Sequence, residues 1–449
     1  MKRLSLTLIV VVLAMARTAL GGTWTNQFQQ MTSDTSIISI AAATESKAVA
    51  FGGEPDGQGN SKMVWLRTSD GKTWQKQDVT GQEMLILSHL ACPSETRCWA
   101  VGMSINMQTM GIKNLLMGSV NGGEIWFKAP PLNYSISRLA IRDETNMWLV
   151  GGSVVVPVVD GKSKTAFVPK IEGEPFKTIL DAAFVGENTV FAVNGESQQD
   201  DNGEDIGILP KGALLRSDDG GTNWVAVFRD RQEKPTRVRF FTQKTGFIMG
   251  EAAQGPFLRR TDDGGATWLD ITLPTPASVP VPSSLDDMVI FNSMAGLFLG
   301  SGKDGNGQTY HVVYRMKDGH TLLEEPLPDN KLALFAITCP SQKVCWIAGE
   351  NFSIWRFEGT DADVVSDDTP LIGDPGGGTD LIGTDLVGLE AVIPDQAAGD
   401  GSLSVEGGGV GSSGGGGCAS GGPAGGGSSL LILALALLFM SHGRWLRGV

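Results

Sequence analysis

The chain has 449 residues, of which 41% are hydrophobic, with 60 glycines and a formal net charge of −14. Eleven of the acidic residues lie between residues 359 and 428, a stretch without Lys or Arg, so the remainder is close to balanced. This excludes the basic stripe with which a nucleic-acid binder neutralises phosphates. The many short apolar runs favour one large all-β body with tails.

The N-terminus, residues 1–22, reads as a signal-peptide region. Lys2 and Arg3 precede an apolar run that ends in Ala14-Met15-Ala16. A basic start, a short apolar stretch and small residues at a cleavage site are the parts of a secretory signal, so we expect export and cleavage after Ala16.

Four cysteines repeat one pattern, CPSxxxCW, at Cys92 with Cys98 and at Cys339 with Cys345. The pattern has too few ligands for a zinc site and no neighbouring histidines. In an oxidising compartment each pair is expected to close its own β-hairpin as a disulfide, and free buried thiols are the alternative.

A period of about 50 residues runs through the chain. Seven segments have the apolar run of a buried strand and end in or next to glycine: KAVAFGG (47–53), RCWAVG (97–102), NMWLVGG (146–152), TVFAVNG (189–195), TGFIMG (245–250), AGLFLG (295–300) and VCWIAG (344–349). An apolar stretch precedes most of them and a third run follows. Four strands per unit, repeated at this period, predict a β-propeller, and seven units predict seven blades.

A turn motif follows the third run in most units: TSDGKTW (68–74), SVNGGEIW (119–126), SDDGGTNW (217–224), TDDGGATW (261–268) and a degenerate MKDGHTL (316–322). Glycine allows the positive φ of a tight turn, and an Asp carboxylate can accept the backbone N–H groups left unpaired there. Asp70, Asp219 and Asp263 are therefore interpreted as structural. Trp74, Trp126, Trp224 and Trp268 are expected to begin the outer strands and to pack back over the hairpins.

Calcium binding by these turns is the functional alternative, but the motif lacks the alternating oxygen ligands and the closing Glu of an EF-hand loop.

The third unit, around residues 138–178, lacks the motif altogether. The seventh ends after SIWRFEG (353–359), and Gly21-Gly22-Thr23-Trp24 has the letters that this unit is missing. We therefore expect residues 23–28 to supply the outer strand of the last blade and to close the ring.

The S/TxDxGxTW motif, with second strands of the AVG type, resembles the Asp-box or BNR repeat. The whole unit TRVRFFTQKTGFIMGEAAQGPFLRRTDDGGATW resembles propellers of the photosystem II assembly factor type. The resemblance covers residues 23–358 and implies the fold more than the function, because the repeat occurs in sialidases, sortilin-like receptors and many exported proteins.

The C-terminal part has two predicted sections. Residues 359–428 are acidic and rich in glycine, which predicts a flexible linker. Residues 429–449 contain eleven apolar residues that would reach only ~16 Å as a helix, against a hydrocarbon core of ~30 Å. Together with Cys418 and the basic Arg444 and Arg447, this ending resembles the myxobacterial C-terminal sorting signal (MYXO-CTERM). That resemblance implies processing at Cys418, and a stop-transfer anchor is the alternative.

The sequence offers little for catalysis. A sialidase needs an arginine triad, a Tyr nucleophile with a Glu partner and an acid/base Asp, but this chain has only Tyr134, Tyr310 and Tyr314. No metal-spaced pair occurs among the four histidines, and His89, in an apolar first strand, is interpreted as a hydrogen-bonded core residue. We predict no enzyme, no metal and no cofactor, with a sialidase-like glycoside hydrolase as the alternative.

Binding is instead expected on the face that carries the loops between second and third strands. Those loops hold the insertions 52–62, 103–113, 195–211 and 300–308, and the most acidic contains Asp200, Asp201, Glu204 and Asp205, which are candidates for a cation or a basic partner. The predicted function is an exported monomeric scaffold, tethered at the cell surface or outer membrane through its tail, that binds a protein or glycan. An assembly factor for an envelope complex is a further possibility.

Overall fold

The structure is a computed structural model, and it describes residues 22–30, 35–55, 61–78, 83–106, 108–109, 111–195, 212–276, 279–327 and 332–366. Strands form almost all of its regular structure, and they are arranged as seven four-stranded antiparallel sheets and one small hairpin. Asp200, Asp201, Glu204, Asp205 and Cys418 lie outside these residues, as do most of the predicted signal peptide and the end of the tail.

The first four blades follow the chain in order. Blade 1 contains β2 (Ser36–Ala42), β3 (Ala48–Pro55), β4 (Ser61–Thr68) and β5 (Gln75–Asp78), and blade 2 contains β6 (Glu83–Ala91), β7 (Cys98–Asn106), β8 (Ile112–Ser119) and β9 (Phe127–Lys128). Blade 3 contains β10 (Arg138–Ile141), β11 (Met147–Gly151), β12 (Val154–Val159) and β13 (Lys162–Ser163), followed by the hairpin β14 (Lys170–Ile171) and β15 (Glu174–Pro175). Blade 4 contains β16 (Ile179–Val185), β17 (Thr189–Asn194), β18 (Gly212–Ser217) and β19 (Val225–Asp230).

The last three blades include the strand from the N-terminus. Blade 5 contains β20 (Lys234–Phe240), β21 (Gly246–Ala252), β22 (Gly255–Thr261) and β23 (Leu269–Asp270), and blade 6 contains β24 (Ser284–Ile290), β25 (Gly296–Lys303), β26 (Thr309–Met316) and β27 (Leu322–Glu325). Blade 7 contains β28 (Leu334–Thr338), β29 (Val344–Gly349), β30 (Ile354–Glu358) and β1 (Thr23–Phe28). Each of the seven repeated apolar segments is the second strand of a blade, which confirms the seven-bladed prediction.

The blades form a closed ring around an axis. Each first strand packs against the first strand of the next blade, and β28 returns to β2. The hydrophobic core is correspondingly divided into seven clusters, each lying between two neighbouring blades. Both faces of each sheet are therefore covered, which explains why second strands such as β11, β17 and β29 are buried at every residue.

The N-terminal strand closes the ring, as the truncated seventh unit predicts. β1 pairs with β30 in an antiparallel register that places Trp24 opposite Phe357, and the two rings have centroids 5.3 Å apart. Trp24 is buried in the cluster between blades 6 and 7. The last blade thus joins both ends of the repeat, and the ring has no open edge at this point.

Connections between strands define two faces of the propeller. The loops between second and third strands, and the connections between blades, share what we call the loop face. The turns between first and second strands, and those between third and fourth strands, share the opposite face, which we call the turn face. β1 begins at the turn face and β30 ends there, since Thr23 pairs with Glu358.

Three of the predicted insertions on the loop face are extended hairpins rather than loops. β7 and β8 remain paired from Cys98 with Ser119 to Ile105 with Ile112, so most of residues 103–113 are strand. β3 and β4 pair as far as Pro55 with Ser61, and β25 and β26 as far as Lys303 with Thr309. The paired strands continue beyond the core with alternating polar and apolar residues. The loops are therefore shorter than predicted.

Acidic turns between third and fourth strands are held by their own carboxylates. Asp219 accepts hydrogen bonds from Ser217 Oγ (2.8 Å), the Thr222 amide (3.0 Å) and the Asn223 amide (2.8 Å). Asp70 and Asp263 make the same kind of bonds within their own turns. Gly221 has a φ of 94°, and an added Cβ would lie 2.5 Å from Trp148, so a larger residue does not fit there.

The third blade has a different turn from its neighbours. Asp160 and Gly161 form a two-residue turn with φ values of 52° and 70°, between Val159 and Lys162 of a directly paired hairpin. Two consecutive positive φ angles are the mark of a type I′ turn, for which Asp-Gly is a favoured sequence. The longer turn motif is absent from this blade because the shorter Asp160-Gly161 turn joins its third and fourth strands.

Tryptophans after these turns pack mainly onto the preceding blade. Trp126 stacks on Trp65 of blade 1 with centroids 4.2 Å apart, and Trp224 contacts Trp148 and Phe176, which lie before blade 4. The indole N–H groups of Trp126 and Trp224 do donate to carbonyls of their own turns. The rings therefore join one blade to the next, while only their polar edges bind back to the hairpin.

Both cysteine pairs form disulfides, Cys92 with Cys98 and Cys339 with Cys345. Each links the turn after a first strand to the second strand of the same blade, which confirms the predicted pairing. Disulfides of this kind are typical of oxidising compartments.

Low pH should weaken the acidic turns. Backbone and side-chain hydrogen bonds from Asn223 lower the pKa of Asp219 to about 2, and those from Thr267 lower the pKa of Asp263 to about 2. A carboxyl whose pKa is lower in the folded chain stabilises it above the unfolded pKa of ~4, and this contribution disappears as pH falls from ~4 to ~2.

Asp219→Asn should therefore lose less stability than the wild type between pH 5 and pH 2.5, as measured by the denaturant midpoint. Asp218→Asn, which removes the neighbouring carboxylate paired with Arg216, is the matched control. If the wild type and Asp219→Asn show the same acid dependence, this carboxylate does not contribute to the acid stability of the fold.

Candidate functional site

Six of the seven first strands carry a β-bulge that brings side chains towards the axis. Register shifts occur in β2, β6, β16, β20, β24 and β28, at equivalent places along the strands. The residue after the bulge is His89 in blade 2, Asp181 in blade 4, Arg237 in blade 5 and Asp287 in blade 6. Bulges re-aim side chains and interrupt the ladder, so they often occur at functional positions.

Three of these side chains accept a hydrogen bond from the backbone of the next blade. The Leu139 amide donates to His89 Nδ1 (3.3 Å), and the Val238 amide donates to Asp181 Oδ2 (3.1 Å). A third, longer contact joins the Ile337 amide to Asp287 Oδ2 at 3.5 Å. His89 is thus hydrogen-bonded, as expected from the sequence, and the neighbouring first strands are linked around the axis.

The axial cluster, as we name it, consists of six charged side chains on the first strands of blades 3 to 6: Arg138, Arg237, Arg239, Asp181, Asp286 and Asp287. Arg239 Nη1 lies 2.8 Å from Asp181 Oδ2, and their side chains are 33% and 3% exposed. Three positive and three negative side chains face each other across blades 3 to 6. None of these six residues was predicted from the sequence as a site residue, although charges within apolar first strands such as ILDAAFV and TRVRFF were a signal.

Electrostatic coupling ties the cluster together. Burial raises the pKa of Asp181, but Arg239, Arg138 and Arg237 outweigh it and lower the pKa of this carboxyl overall. Burial together with Arg237 lowers the pKa of Arg138 to about 10, and burial raises the pKa of Asp286. For His89, burial and Arg138 lower the pKa well below the ordinary range, so the imidazole is neutral at physiological pH.

Two of the arginines are less well paired than Arg239. Arg237 Nη1 donates to the Thr236 carbonyl (2.8 Å), while its buried Nε has no hydrogen-bond partner among the described residues. Arg138 is destabilised in its charged form by burial and by Arg237. A planar guanidinium in a poorly solvated place favours a carboxylate or another oxyanion as a partner, so this end of the cluster is suited to binding an anionic group.

A groove of about 520 Å³ lies on the loop face beside blade 5. Its apolar lining includes Phe257 of β22 and Leu273, Val281 and Pro282 of the connection to blade 6. Arg259, next to this lining, is paired with Glu233 and Asp270 on the same edge. The groove can accept an apolar side chain with polar groups at its rim.

The tyrosines do not form a glycosidase pair. Tyr310 and Tyr314 lie on β26 and donate their hydroxyls to the carbonyls of Val281 (2.9 Å) and Pro274 (3.0 Å). Tyr134 lies exposed in the connection between blades 2 and 3. Over the described ranges, no group of three or more His, Cys, Asp or Glu side chains is arranged to hold a metal ion.

Comparison with known proteins shows the fold class. No family model and no curated protein matches the chain. Among solved structures, "YCF48 bound to D1 peptide" is similar with a TM-score of 0.50 and 14% identity, over 75% of this chain and 97% of that one. YCF48 from Cyanidioschyzon merolae has a TM-score of 0.50 and 12% identity, over 75% and 98%.

A streptogramin B lyase structure is also similar, with a TM-score of 0.48, 11% identity and coverage of 75% and 98%. The topology of the chain itself, with seven four-stranded antiparallel sheets in a ring, makes the protein a seven-bladed β-propeller. At this level of identity the similarity extends to the fold alone.

Proposed function

We propose that this protein is a non-enzymatic binding or assembly scaffold, exported and tethered at the cell surface, which binds a protein or glycan through its loop face. The observation that carries the proposal is the placement of the extended hairpins in blades 1, 2 and 6 on one face. β1 begins and β30 ends at the opposite face, the turn face. The chain after β30 therefore starts on the face opposite the hairpins.

A protein partner is the first class to test. The loop face also bears the groove beside blade 5, and a propeller of the same fold binds a D1 peptide. Arg138 and Arg237 supply positive charge that an acidic side chain or a carboxylate of the partner would neutralise. The disulfides support the exported location, since thiols are kept reduced in the cytosol.

The proposed attachment at the cell surface depends on the C-terminal tail and on processing at Cys418, and a retained stop-transfer anchor is the alternative. Within the described residues, no helix has the length and hydrophobicity needed to cross a bilayer. Mass spectrometry of the mature protein from washed cells tests the tail directly. Recovery of the intact hydrophobic end from the inner membrane would contradict surface attachment.

Photo-crosslinking tests the binding face. A crosslinking residue at Tyr134 or Asn306, both exposed on the loop face, should capture the partner on intact cells, and one at Val120 on the turn face should not. Equal capture from both faces, or capture only from Val120, would contradict the proposal.

Loss of axial charge should weaken this binding. Arg237→Gln is expected to reduce the affinity for the captured partner about ten- to a hundredfold, because a charge-assisted hydrogen bond contributes ~1.5–3 kcal/mol. Arg142→Gln, on the turn face, is the matched control and should bind normally. Unchanged affinity in a folded Arg237→Gln variant would exclude the axial cluster from the binding site.

The alternative function is a sialidase-like glycoside hydrolase. The convergence of three arginines in the axial cluster favours it, and the hydrogen-bonded hydroxyls of Tyr310 and Tyr314 count against it. Release of a fluorophore from an aryl sialoside, lost in Arg237→Gln and retained in Arg142→Gln, would support the hydrolase and overturn the non-enzymatic proposal.

A further inference from the structure

The chain continues past β30 as an ordered segment on the turn face. Residues 359–365, which we call the C-terminal strap, include a short 3-10 helix, Asp361–Asp363. The Val365 amide donates to Gln342 Oε1 (2.7 Å), and Gln342 Nε2 donates back to the Val365 carbonyl (2.9 Å). Gln342 lies in a turn of blade 7 and binds the strap much as a neighbouring strand would.

The strap also binds blade 6. Asn292 Nδ2 donates to the Val365 carbonyl (2.8 Å), and Lys317 Nζ lies 3.0 Å from Asp363 Oδ1. The Asp363 side chain is fully buried and also accepts the Thr360 amide (2.9 Å). The same short segment therefore holds turns of two different blades, although the sequence predicted a flexible linker from residue 359.

At four of the seven blade boundaries on this face, an arginine near the end of the third strand donates to carbonyls in turns of the next blade. The donors are Arg67 to Gly122, Arg216 to Gln243, Arg260 to Ser293 and Gly319, and Arg356 to Glu45 and Gly71. These contacts join blades 1 and 2, 4 and 5, 5 and 6, and 7 and 1.

The equivalent arginine of blade 6, Arg315, makes different contacts. Arg315 Nε binds Glu325 Oε2 of its own blade at 2.6 Å, and its guanidinium lies over the Phe357 ring. It makes none of the described turn contacts that the other arginines make. The boundary between blades 6 and 7 is the one that the strap crosses.

We propose that the C-terminal strap is a latch: it replaces the missing arginine contact, locks blades 6 and 7 together on the turn face, and fixes the point at which the C-terminal segment leaves the propeller. The proposal needs no ligand and does not depend on the proposed function. It makes the strap part of the propeller and not the beginning of the linker.

Hydrogen exchange of the full-length protein tests the latch. Gln342→Ala removes both bonds to Val365 and should accelerate exchange about thirtyfold in peptides over the strap and over the blade 6 turn at residues 291–295, since the two lost bonds contribute ~1 kcal/mol each. Lys317→Met should affect the same two peptides. Peptides from blades 3 to 5 should be unchanged in both variants.

Lys343→Met is the matched control, because it removes only the exposed pair of Lys343 with Asp361, and such pairs contribute little. Faster exchange confined to the strap, with residues 291–295 unaffected, would overturn the latch and leave a segment that merely rests on the face. Faster exchange in every blade would also overturn it, since Gln342 would then act through global stability.

Discussion

Trp24→Ala is expected to destabilise the whole propeller by about 3–5 kcal/mol, the usual cost of removing a buried tryptophan from a core. Trp24 is the N-terminal contribution to the core between blades 6 and 7, where it packs on Phe357 in a cluster that also contains residues of β25 and β26. Because β1 closes the ring, its loss should lower the cooperativity of unfolding as well as the midpoint.

Urea unfolding followed by tryptophan fluorescence and by circular dichroism measures both effects. Trp24→Phe, which keeps a ring opposite Phe357, should recover more than half of the loss, and Asn26→Ala, on the exposed side of β1, should change the midpoint little. A Trp24→Ala variant as stable as Asn26→Ala would show that the ring does not depend on closure by this strand.

Glu325→Ala should cost about 3–5 kcal/mol, because it leaves the buried Arg315 without its counter-charge. The two side chains are 3% and 1% exposed, with 2.6 Å between Arg315 Nε and Glu325 Oε2. The Phe357 ring, whose centroid lies 4.3 Å from the guanidinium, offers only a partial replacement.

The double variant Arg315→Met with Glu325→Leu distinguishes the charge from the packing. It should be more stable than Glu325→Ala, since an apolar pair of similar volume requires no buried charge to be compensated. The same denaturant midpoints measure all three chains. Equal destabilisation of the single and double variants would mean that shape, and not the unpaired charge, determines the loss.

The candidate site could be predicted from the sequence only in part. Insertions on the loop face were recognised, but the axial cluster was not, because its members are scattered between Arg138 and Asp287 with no motif in common. Each is one charge within an apolar strand, and only a bulge and the ring geometry bring them together. The acidic loop with Asp200, Asp201, Glu204 and Asp205 remains a prediction, as does the role of Cys418.

Sequence periodicity by itself determined the seven blades, their second strands, the closing role of residues 23–28 and both disulfides. These features depend on local patterns: apolar runs of strand length, turns that require glycine, and cysteines six residues apart. The tertiary structure alone decided which face carries the hairpins, how Arg138, Arg237 and Asp181 meet, and that residues 359–365 fasten blade 7 to blade 6. Such contacts join residues far apart in the chain, and their partners are chosen by the closed ring, whose geometry no local pattern encodes.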